Sequence, residues 1–382
     1  MQKTDFMAGI YLHIPFCKRR CIYCDFFSTT RNEEKSRYVQ ALCKELELRK
    51  GYLDGEEVET IYLGGGTPSQ LSPAELETIF AYIYKVYNVK KNAEITLEVN
   101  PDDITTDYVH ALRALPINRI SMGIQTFHED TLKVLHRRHT ARQAIEAYNL
   151  LREAGFENIS IDLMYGLPGE TLQQWENDIK QAIELHPEHI SAYHLIYEEG
   201  TALWKLREQH QVSEADEDLS LSMFKTLINQ LTYAGYQHYE ISNFCLPGLH
   251  SQHNSSYWTG KKYMGCGPSA HSYNGVSRQW NVASLDAYIN GITNNKPDYE
   301  IEELDIYTQY NDFIITRLRT CWGVPLSQLH IKYGEELYNY CLRMAKPHLE
   351  RCTLTKENEI LRLTPKGIFI SDNIMSDLLW VE

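Results

Sequence analysis

The chain has 382 residues, 43% of them hydrophobic, and a formal net charge of −14. This length is enough for one large domain with a smaller companion, while the acidic balance disfavours nonspecific binding to nucleic acid or to an anionic membrane surface. No apolar run approaches the roughly 18 residues that a transmembrane helix needs, and residues 1–5 lack a secretory segment. We therefore expect a cytoplasmic protein that binds no nucleic acid and has no integral membrane segment.

Apolar runs of strand type alternate with stretches of helical period through the first 235 residues. The strand candidates are residues 9–14, 58–63, 94–100, 118–124, 158–165 and 189–196. The helix candidates are residues 34–49, 73–87, 105–115, 129–135, 140–154, 171–185 and 213–234. This alternation predicts an α/β fold with a parallel sheet, and six such units form an open, partial (β/α)6 barrel of the TIM type over residues 1–235.

The alternation stops near residue 235, and two further regions follow. Residues 236–295 are predicted to be an irregular segment packed on the barrel. Residues 296–382 are predicted to form a helical, winged-helix-like domain, with helices at 304–319, 325–333 and 335–349 and a strand–turn–strand at 359–370. Because this domain offers no dense basic recognition helix, we expect it to serve packing or partner docking.

Three cysteines follow the first strand candidate with CxxxCxxC spacing, namely Cys17, Cys21 and Cys24. A loop this short can turn three thiolates towards one point, which is how iron–sulfur clusters are held. Three ligands for a four-iron cluster leave one iron open, as in a reactive metal site. Half of a zinc site and disulfide pairing are the alternatives, although the total of nine cysteines is odd and no second CxxC pair exists.

Polar residues and glycines follow the later strand candidates at the same end of each unit, where barrel enzymes build their sites. Gly64, Gly65 and Gly66 either form a tight turn or let the backbone approach a ligand through free N–H and C=O groups. Glu98, Gln125 and Asp162 either cap the next helices or face one polar ligand. Arg137 is either a solvated charge or the partner of a ligand carboxylate.

Five motifs, in order, resemble those of the anaerobic coproporphyrinogen oxidase branch of the radical SAM superfamily, and the likeness spans about residues 9–275. They are residues 11–17 (YLHIPFC), 64–68 (GGGTP), 98–101 (EVNP), 121–125 (SMGIQ) and 162–169 (DLMYGLPG). The resemblance implies that Cys17, Cys21 and Cys24 bind a 4Fe–4S cluster. It also implies contacts to S-adenosylmethionine from Tyr11, Tyr23, Gly65, Gly66, Thr67, Glu98, Gln125, Arg137, Asp162 and Ile196.

Within this branch, two families differ in ways that this sequence displays. The oxidases carry a further cysteine two residues after the third ligand and a longer N-terminal extension, whereas this chain has Phe26 there and eight residues before its first strand candidate. The HemW-type heme chaperones resemble this chain in their CxxxCxxCxF form and in a downstream HNxxYW motif. That motif is present here as His253, Asn254, Tyr257 and Trp258.

The HNxxYW motif also suits porphyrin contact on chemical grounds, because histidine is a common heme ligand and flat aromatic rings can pack on a porphyrin face. The alternative is that His253 is hydrogen-bonded internally and Trp258 fills the open side of the barrel. His271 and Cys266 are secondary candidates for heme binding.

The resemblance favours a heme chaperone that uses its cluster and S-adenosylmethionine to pass heme to an apo-cytochrome or respiratory haemoprotein, meeting a membrane only through such recipients. The first rival is oxidative decarboxylation of coproporphyrinogen III propionates through a 5′-deoxyadenosyl radical, a step of porphyrin biosynthesis. The second rival is a radical SAM enzyme acting on another substrate. Whether the protein is an enzyme therefore stays open at the level of the sequence.

Overall fold

The computed structural model describes residues 7–381. The expectation that residues 1–5 carry no secretory segment lies outside the described residues. No helix between residues 7 and 381 combines the length and the apolar character needed to cross a bilayer.

Six parallel strands, each hydrogen-bonded to the next in chain order, form the centre of the molecule. These strands are β1 (Met7–Ile14), β2 (Glu57–Gly65), β3 (Val89–Val99), β4 (Arg119–Gln125), β5 (Ile159–Tyr165) and β6 (His189–His194). The helices around them are α1 (Lys35–Leu48), α2 (Pro73–Val86), α3 (Thr106–Arg113), α4 (Glu129–Val134), α5 (Ala141–Glu153), α6 (Leu172–Leu185), α7 (Ala202–Glu208) and α8 (Glu217–Tyr233). The predicted (β/α)6 arrangement is confirmed, and only α7 was not predicted.

The two faces of the six strands differ in chemistry, because successive side chains of a strand point to opposite sides. On the outer face, Ile10, Leu63 and Leu97 are fully buried against the helices. On the inner face, polar side chains bond to one another across strands, as Ser160 does with the His189 ring at 2.8 Å. The barrel interior is therefore polar, and it opens at the carboxyl ends of the strands.

The prediction of an irregular segment over residues 236–295 is wrong. The segment holds β7 (Gln237–Glu240), β8 (Asn243–Cys245), α9 (Gln252–Thr259), β9 (Tyr263–Cys266), β10 (His271–Tyr273), β11 (Ser277–Asn281) and α10 (Leu285–Thr293), and β12 (Tyr299–Glu303) follows it. These strands widen the sheet to twelve in the order β12-β11-β10-β9-β1-β2-β3-β4-β5-β6-β8-β7. Each of them has only three to five residues, which is too short for a period-two pattern to stand out in the local sequence.

The C-terminal region is a winged-helix-like module with an apolar core of its own. It consists of α11 (Ile306–Leu318), β13 (Val324–Pro325), α12 (Leu326–Glu350), β14 (Leu354–Glu357), β15 (Ile360–Leu363), α13 (Pro365–Ile368) and α14 (Ser371–Leu378). Helix α12 bends at Gly334, whose φ is 82°, so the two helices predicted there are confirmed. The boundary at residue 296 stays a prediction, since β12 still pairs with β11 of the large sheet.

The hairpin predicted at residues 359–370 is misplaced. The hairpin is β14–β15, and it turns at Asn358 and Glu359, which have φ of 51° and 58°. The remainder is helical, because Thr364 accepts a hydrogen bond from the Gly367 N–H as an N-cap and Pro365 occupies the first turn. A proline in that place favours the start of a helix over the continuation of a strand.

Candidate functional site

The carboxyl ends of the strands enclose a cavity of about 430 Å³, called here the cysteine cavity. It brings together most of the residues singled out in the sequence. Those in its lining are Cys17, Cys21, Tyr23, Cys24, Gly65, Gly66, Thr67, Glu98, Gln125, Arg137, Asp162, Ile196 and Asn254.

Backbone hydrogen bonds and two polar side chains hold the cysteine loop over this cavity. The Cys17 N–H donates to the Thr29 carbonyl at 2.8 Å, which closes the loop at its base. The Thr67 hydroxyl lies 3.4 Å from the Cys17 sulfur, and Arg137 Nη1 lies 3.5 Å from the Cys21 sulfur. Two of the three sulfurs therefore already have donors suited to a thiolate.

The alternatives for the cysteines were disulfide pairing and half of a zinc site. All nine cysteines lie within the described residues and are free thiols. Between residues 7 and 381, no group of three or more His, Cys, Asp or Glu side chains is gathered closely enough for a single metal ion. The assignment of these three thiols to a cluster therefore rests on their spacing and on the family resemblance.

The glycine loop after β2 packs against the cysteine loop as well as lining the cavity. A Cβ on Gly66 would lie 2.8 Å from the Pro15 carbonyl carbon, and Gly65 has a φ of 106°. The N–H groups of Gly65, Gly66 and Thr67 donate to the Glu98 carboxylate, the Ile14 carbonyl and the Phe16 carbonyl, at 3.2, 2.8 and 2.9 Å. The expectation of free N–H groups here is therefore wrong, because the loop uses them to fix its own shape.

Glu98 and Asp162 are carboxylates held inside the barrel. Glu98 accepts hydrogen bonds from the Tyr62 hydroxyl at 2.8 Å and the Gly65 N–H at 3.2 Å. Burial nevertheless raises the pKa of Glu98 to about 7, and burial also raises the pKa of Asp162. Both groups suit a cationic or hydroxyl-bearing ligand, which would restore solvation that the fold removes.

Arg137 is half-buried and hydrogen-bonded within the cavity wall, so the alternative that it is a solvated charge is not realised. Its Nη2 donates to the Asn100 side-chain oxygen at 2.8 Å and to the Gly123 carbonyl at 2.5 Å. Its Nε has no partner and is inaccessible to solvent. An unsatisfied buried donor beside the cysteine loop fits a ligand carboxylate.

Arg119 is a further residue of this cavity, and the motifs did not identify it. Its side chain is 1% exposed, and both Nε and Nη1 lack a hydrogen-bond partner. The sequence pattern that could have identified Arg119 is the period-two alternation of polar residues along β4, where Arg119 and Ser121 share the inner face.

The HNxxYW motif lies on α9, and its residues contact different parts of the molecule. The two ring nitrogens of His253 share hydrogen bonds with the Thr60 and Tyr257 hydroxyls, each at 2.8 Å, and burial lowers the His253 pKa to about 3. Asn254 lines the cysteine cavity, while Trp258 packs beneath the Arg319 guanidinium at 5.4 Å. Heme binding by His253 stays a prediction, and the geometry favours its alternative, since neither ring nitrogen is free.

Tyr11 does not line the cysteine cavity, contrary to its predicted contact with S-adenosylmethionine. Its hydroxyl lies 3.1 Å from His13 Nδ1. Both residues line a second cavity of about 460 Å³, called here the aromatic cavity. Its lining consists of Tyr11, His13, Asp25, Phe26, Phe27, Tyr257, Tyr263, Ser269 and His271. Asp25 and Phe26 line both cavities.

Comparisons with known proteins agree with this architecture. Residues 11–182 match the family model of the radical SAM superfamily, and residues 307–370 match that of the HemN C-terminal domain. A protein of Bacillus subtilis named heme chaperone HemW is 32% identical over 376 residues, covering 98% of this chain and 99% of that protein. The Escherichia coli protein of that name is 39% identical over 265 residues, covering 69% of each.

A solved structure extends the likeness to the fold. Coproporphyrinogen III oxidase (HemN) from Escherichia coli, a radical SAM enzyme, superposes with a TM-score of 0.85 and covers 98% of this chain and 90% of its own. Its sequence identity is 23%, so this likeness supports the architecture and not the activity.

Proposed function

Because the chain belongs to the HemW family of heme chaperones within the radical SAM superfamily, we propose that it binds heme and delivers it to an apo-cytochrome or respiratory haemoprotein. The similarity to the Bacillus subtilis chaperone over 98% of this chain carries the proposal. Phe26 supports it, because the oxidases that the chain also resembles carry a cysteine at this position.

Members of the radical SAM superfamily hold a 4Fe–4S cluster that supplies one-electron chemistry to bound S-adenosylmethionine. In this chain Cys17, Cys21 and Cys24 would hold the cluster. The donors from Thr67 and Arg137 beside two of the sulfurs support this assignment.

The same cavity offers complementary groups for the amino acid portion of S-adenosylmethionine. The unpartnered Nε of Arg137 is a donor for its carboxylate, and the carboxylates of Glu98 and Asp162 are acceptors for its amino group and for the hydroxyls of the attached ribose. Tyr23, Gly65, Gly66, Thr67, Gln125 and Ile196 complete the proposed contact set. The protein's part is to orient these groups and to hold charge beside the proposed cluster.

The recipient and the compartment are also proposals. We place the protein in the cytoplasm, where a reducing environment preserves thiols, and its nine free cysteines support this placement. Any association with a membrane would occur through the recipient.

The proposal is tested with the full chain, reconstituted anaerobically with iron and sulfide. Ferric heme is titrated in and followed by absorption spectroscopy, and the loaded protein is mixed with an apo-cytochrome. We expect saturable heme binding, followed by transfer that restores the spectrum of the cytochrome. A coproporphyrinogen turnover assay runs beside it. Formation of decarboxylated product without heme uptake would contradict the chaperone function and support the oxidase function instead.

A further inference from the structure

The short strands β9–β11 extend the barrel sheet with an aromatic surface at its open side. His271 of β10 is paired in register with Trp280 of β11, and their rings stack at 5.9 Å with an angle of 24°. Tyr263 of β9 meets Tyr257 of α9 edge-to-face at 4.6 Å. The HNxxYW helix therefore contributes Tyr257 to the wall of the aromatic cavity, while its histidine faces the barrel interior.

His271 is the histidine of this wall whose ring is available to a ligand. No hydrogen bond joins its ring to any residue between 7 and 381, and its side chain is exposed to the cavity. The other histidine in the lining, His13, has Nδ1 at 3.1 Å from the Tyr11 hydroxyl and Nε2 at 2.8 Å from the Phe27 carbonyl. His271 is thus the only one of the two with a nitrogen free to bind a metal.

Partial burial lowers the pKa of His271, with a smaller contribution from the nearby Arg278 cation. The ring is accordingly neutral at physiological pH, which is the form that coordinates iron.

The volume and the aromatic lining of the aromatic cavity suit a flat ligand that has both apolar and polar groups. Its volume of about 460 Å³ lies within the range of cofactor pockets, roughly 300–1,000 Å³. Phe26 is 63% exposed at the rim that the two cavities share. An aromatic side chain this exposed gains most from a planar partner that covers it.

We propose that the aromatic cavity is the heme seat of this chain and that His271 is the axial ligand of the heme iron. Tyr257 and Tyr263 pack against the porphyrin, and Phe26 separates it from the cysteine cavity. The assignment rests on the proposed function, and it moves the iron ligand from His253 to a residue outside the HNxxYW motif.

The test compares His271→Gly with His110→Ala, a matched control on the exposed face of α3. The reconstituted full chain of each is titrated with ferric heme and followed by absorption and electron paramagnetic resonance. We expect His271→Gly to lose the signature of histidine ligation and at least about tenfold in heme affinity, while the control matches the wild type. Added imidazole should restore the histidine-type spectrum in His271→Gly, which a general folding defect would not allow.

Two further variants distinguish a failure of the His271 assignment from a failure of the proposed chaperone function. Tyr263→Ala should weaken heme binding and keep the axial-ligand signature, because it removes a wall and not the ligand. His253→Ala should keep that signature. A wild-type heme spectrum in His271→Gly would overturn the His271 assignment. Loss of the histidine-ligation signature in a folded His253→Ala would overturn it as well. Neither result would contradict the chaperone function. Absence of heme binding by the wild type would instead overturn the function itself.

Discussion

At the scale of single residues, the nine cysteines fall into distinct environments although their side chains are chemically equal. Cys17, Cys21 and Cys24 line the cysteine cavity, whereas Cys43, Cys245, Cys266 and Cys341 are buried among other packed side chains and Cys321 and Cys352 are exposed. Cys266 is 0% exposed, which removes it as a heme ligand in this conformation. Only the first three line one cavity together, which agrees with the proposal that they share a cluster.

Cys21→Ser is expected to abolish the stable cluster, because two thiolates cannot replace the three ligands of an open-iron site. The cluster content is measured after anaerobic reconstitution, from the iron and sulfide content and from the brown absorption. Cys352→Ser, an exposed thiol outside the loop, should reconstitute like the wild type. A full cluster in Cys21→Ser would contradict the ligand assignment.

Glu170, in the loop between β5 and α6, is a buried acid that makes stability depend on pH. Its Oε2 accepts a hydrogen bond from the Leu167 N–H at 2.9 Å, and Oε1 has no partner. Burial raises its pKa to about 8. Between its unfolded pKa of about 4.3 and the folded value, the folded state keeps a proton that the unfolded state has lost, so its contribution to stability falls as pH rises through this window.

Glu170→Gln mimics the protonated acid and should therefore remove the loss of stability that ionisation of Glu170 causes as the pH rises. We expect a melting temperature equal to the wild type at pH 4 and about 2–4 °C higher at pH 9, measured by calorimetry of the ligand-free protein. Glu176→Gln, on the neighbouring helix α6, serves as the control for a change of net charge. Equal shifts for both variants at pH 9 would mean that surface charge, and not burial, causes the effect.

At the scale of elements, α7 supports the cysteine loop, although the sequence did not predict this helix. Leu203 of α7 is fully buried beside Ile22 and Leu135 in a small apolar cluster outside the main core. The Leu203 N–H also donates to the Ile22 carbonyl at 2.9 Å. The middle of the cysteine loop thus packs against a helix that follows β6, far along the chain.

Leu203→Ala should leave a cavity under the loop at a cost of about 2–4 kcal/mol, which increases the mobility of the loop. We expect normal initial iron loading but faster release of iron to a chelator. Leu337→Ala, equally buried in the C-terminal core, should lower thermal stability without changing the release rate. Unchanged release from Leu203→Ala would show that α7 does not restrain the loop.

At the scale of the whole molecule, the winged-helix-like module docks on the side of the barrel that carries β7 and α9. The Cys321 N–H donates to the Tyr239 carbonyl at 2.9 Å, and Arg317 Nη2 donates to the Thr259 carbonyl at 3.1 Å. The Trp322 ring lies 6.0 Å from Tyr239 and 5.6 Å from His250. The module therefore braces the helix that contributes Tyr257 to the aromatic cavity.

Trp322→Ala should weaken this junction by about 2 kcal/mol and leave both cores intact. We expect calorimetry to resolve the module as an earlier transition, separate from that of the barrel. Ile331→Ala, at a side chain that is 86% exposed on the same module, should unfold like the wild type. A single transition at the wild-type temperature in Trp322→Ala would contradict a stabilising junction at this residue.

The sequence by itself determined the six β/α units and the position of the cysteine loop, because local periodicity and strand-end motifs depend on neighbouring residues. The tertiary structure decided which residues far apart in the chain contact one another. Thr60 and His253, 193 residues apart, meet inside the barrel and leave the motif histidine without a free nitrogen. His271 reaches the aromatic cavity because β9 pairs with β1. Contacts between residues far apart in the chain leave no pattern in the local sequence, so only the fold reveals which of these histidines is free.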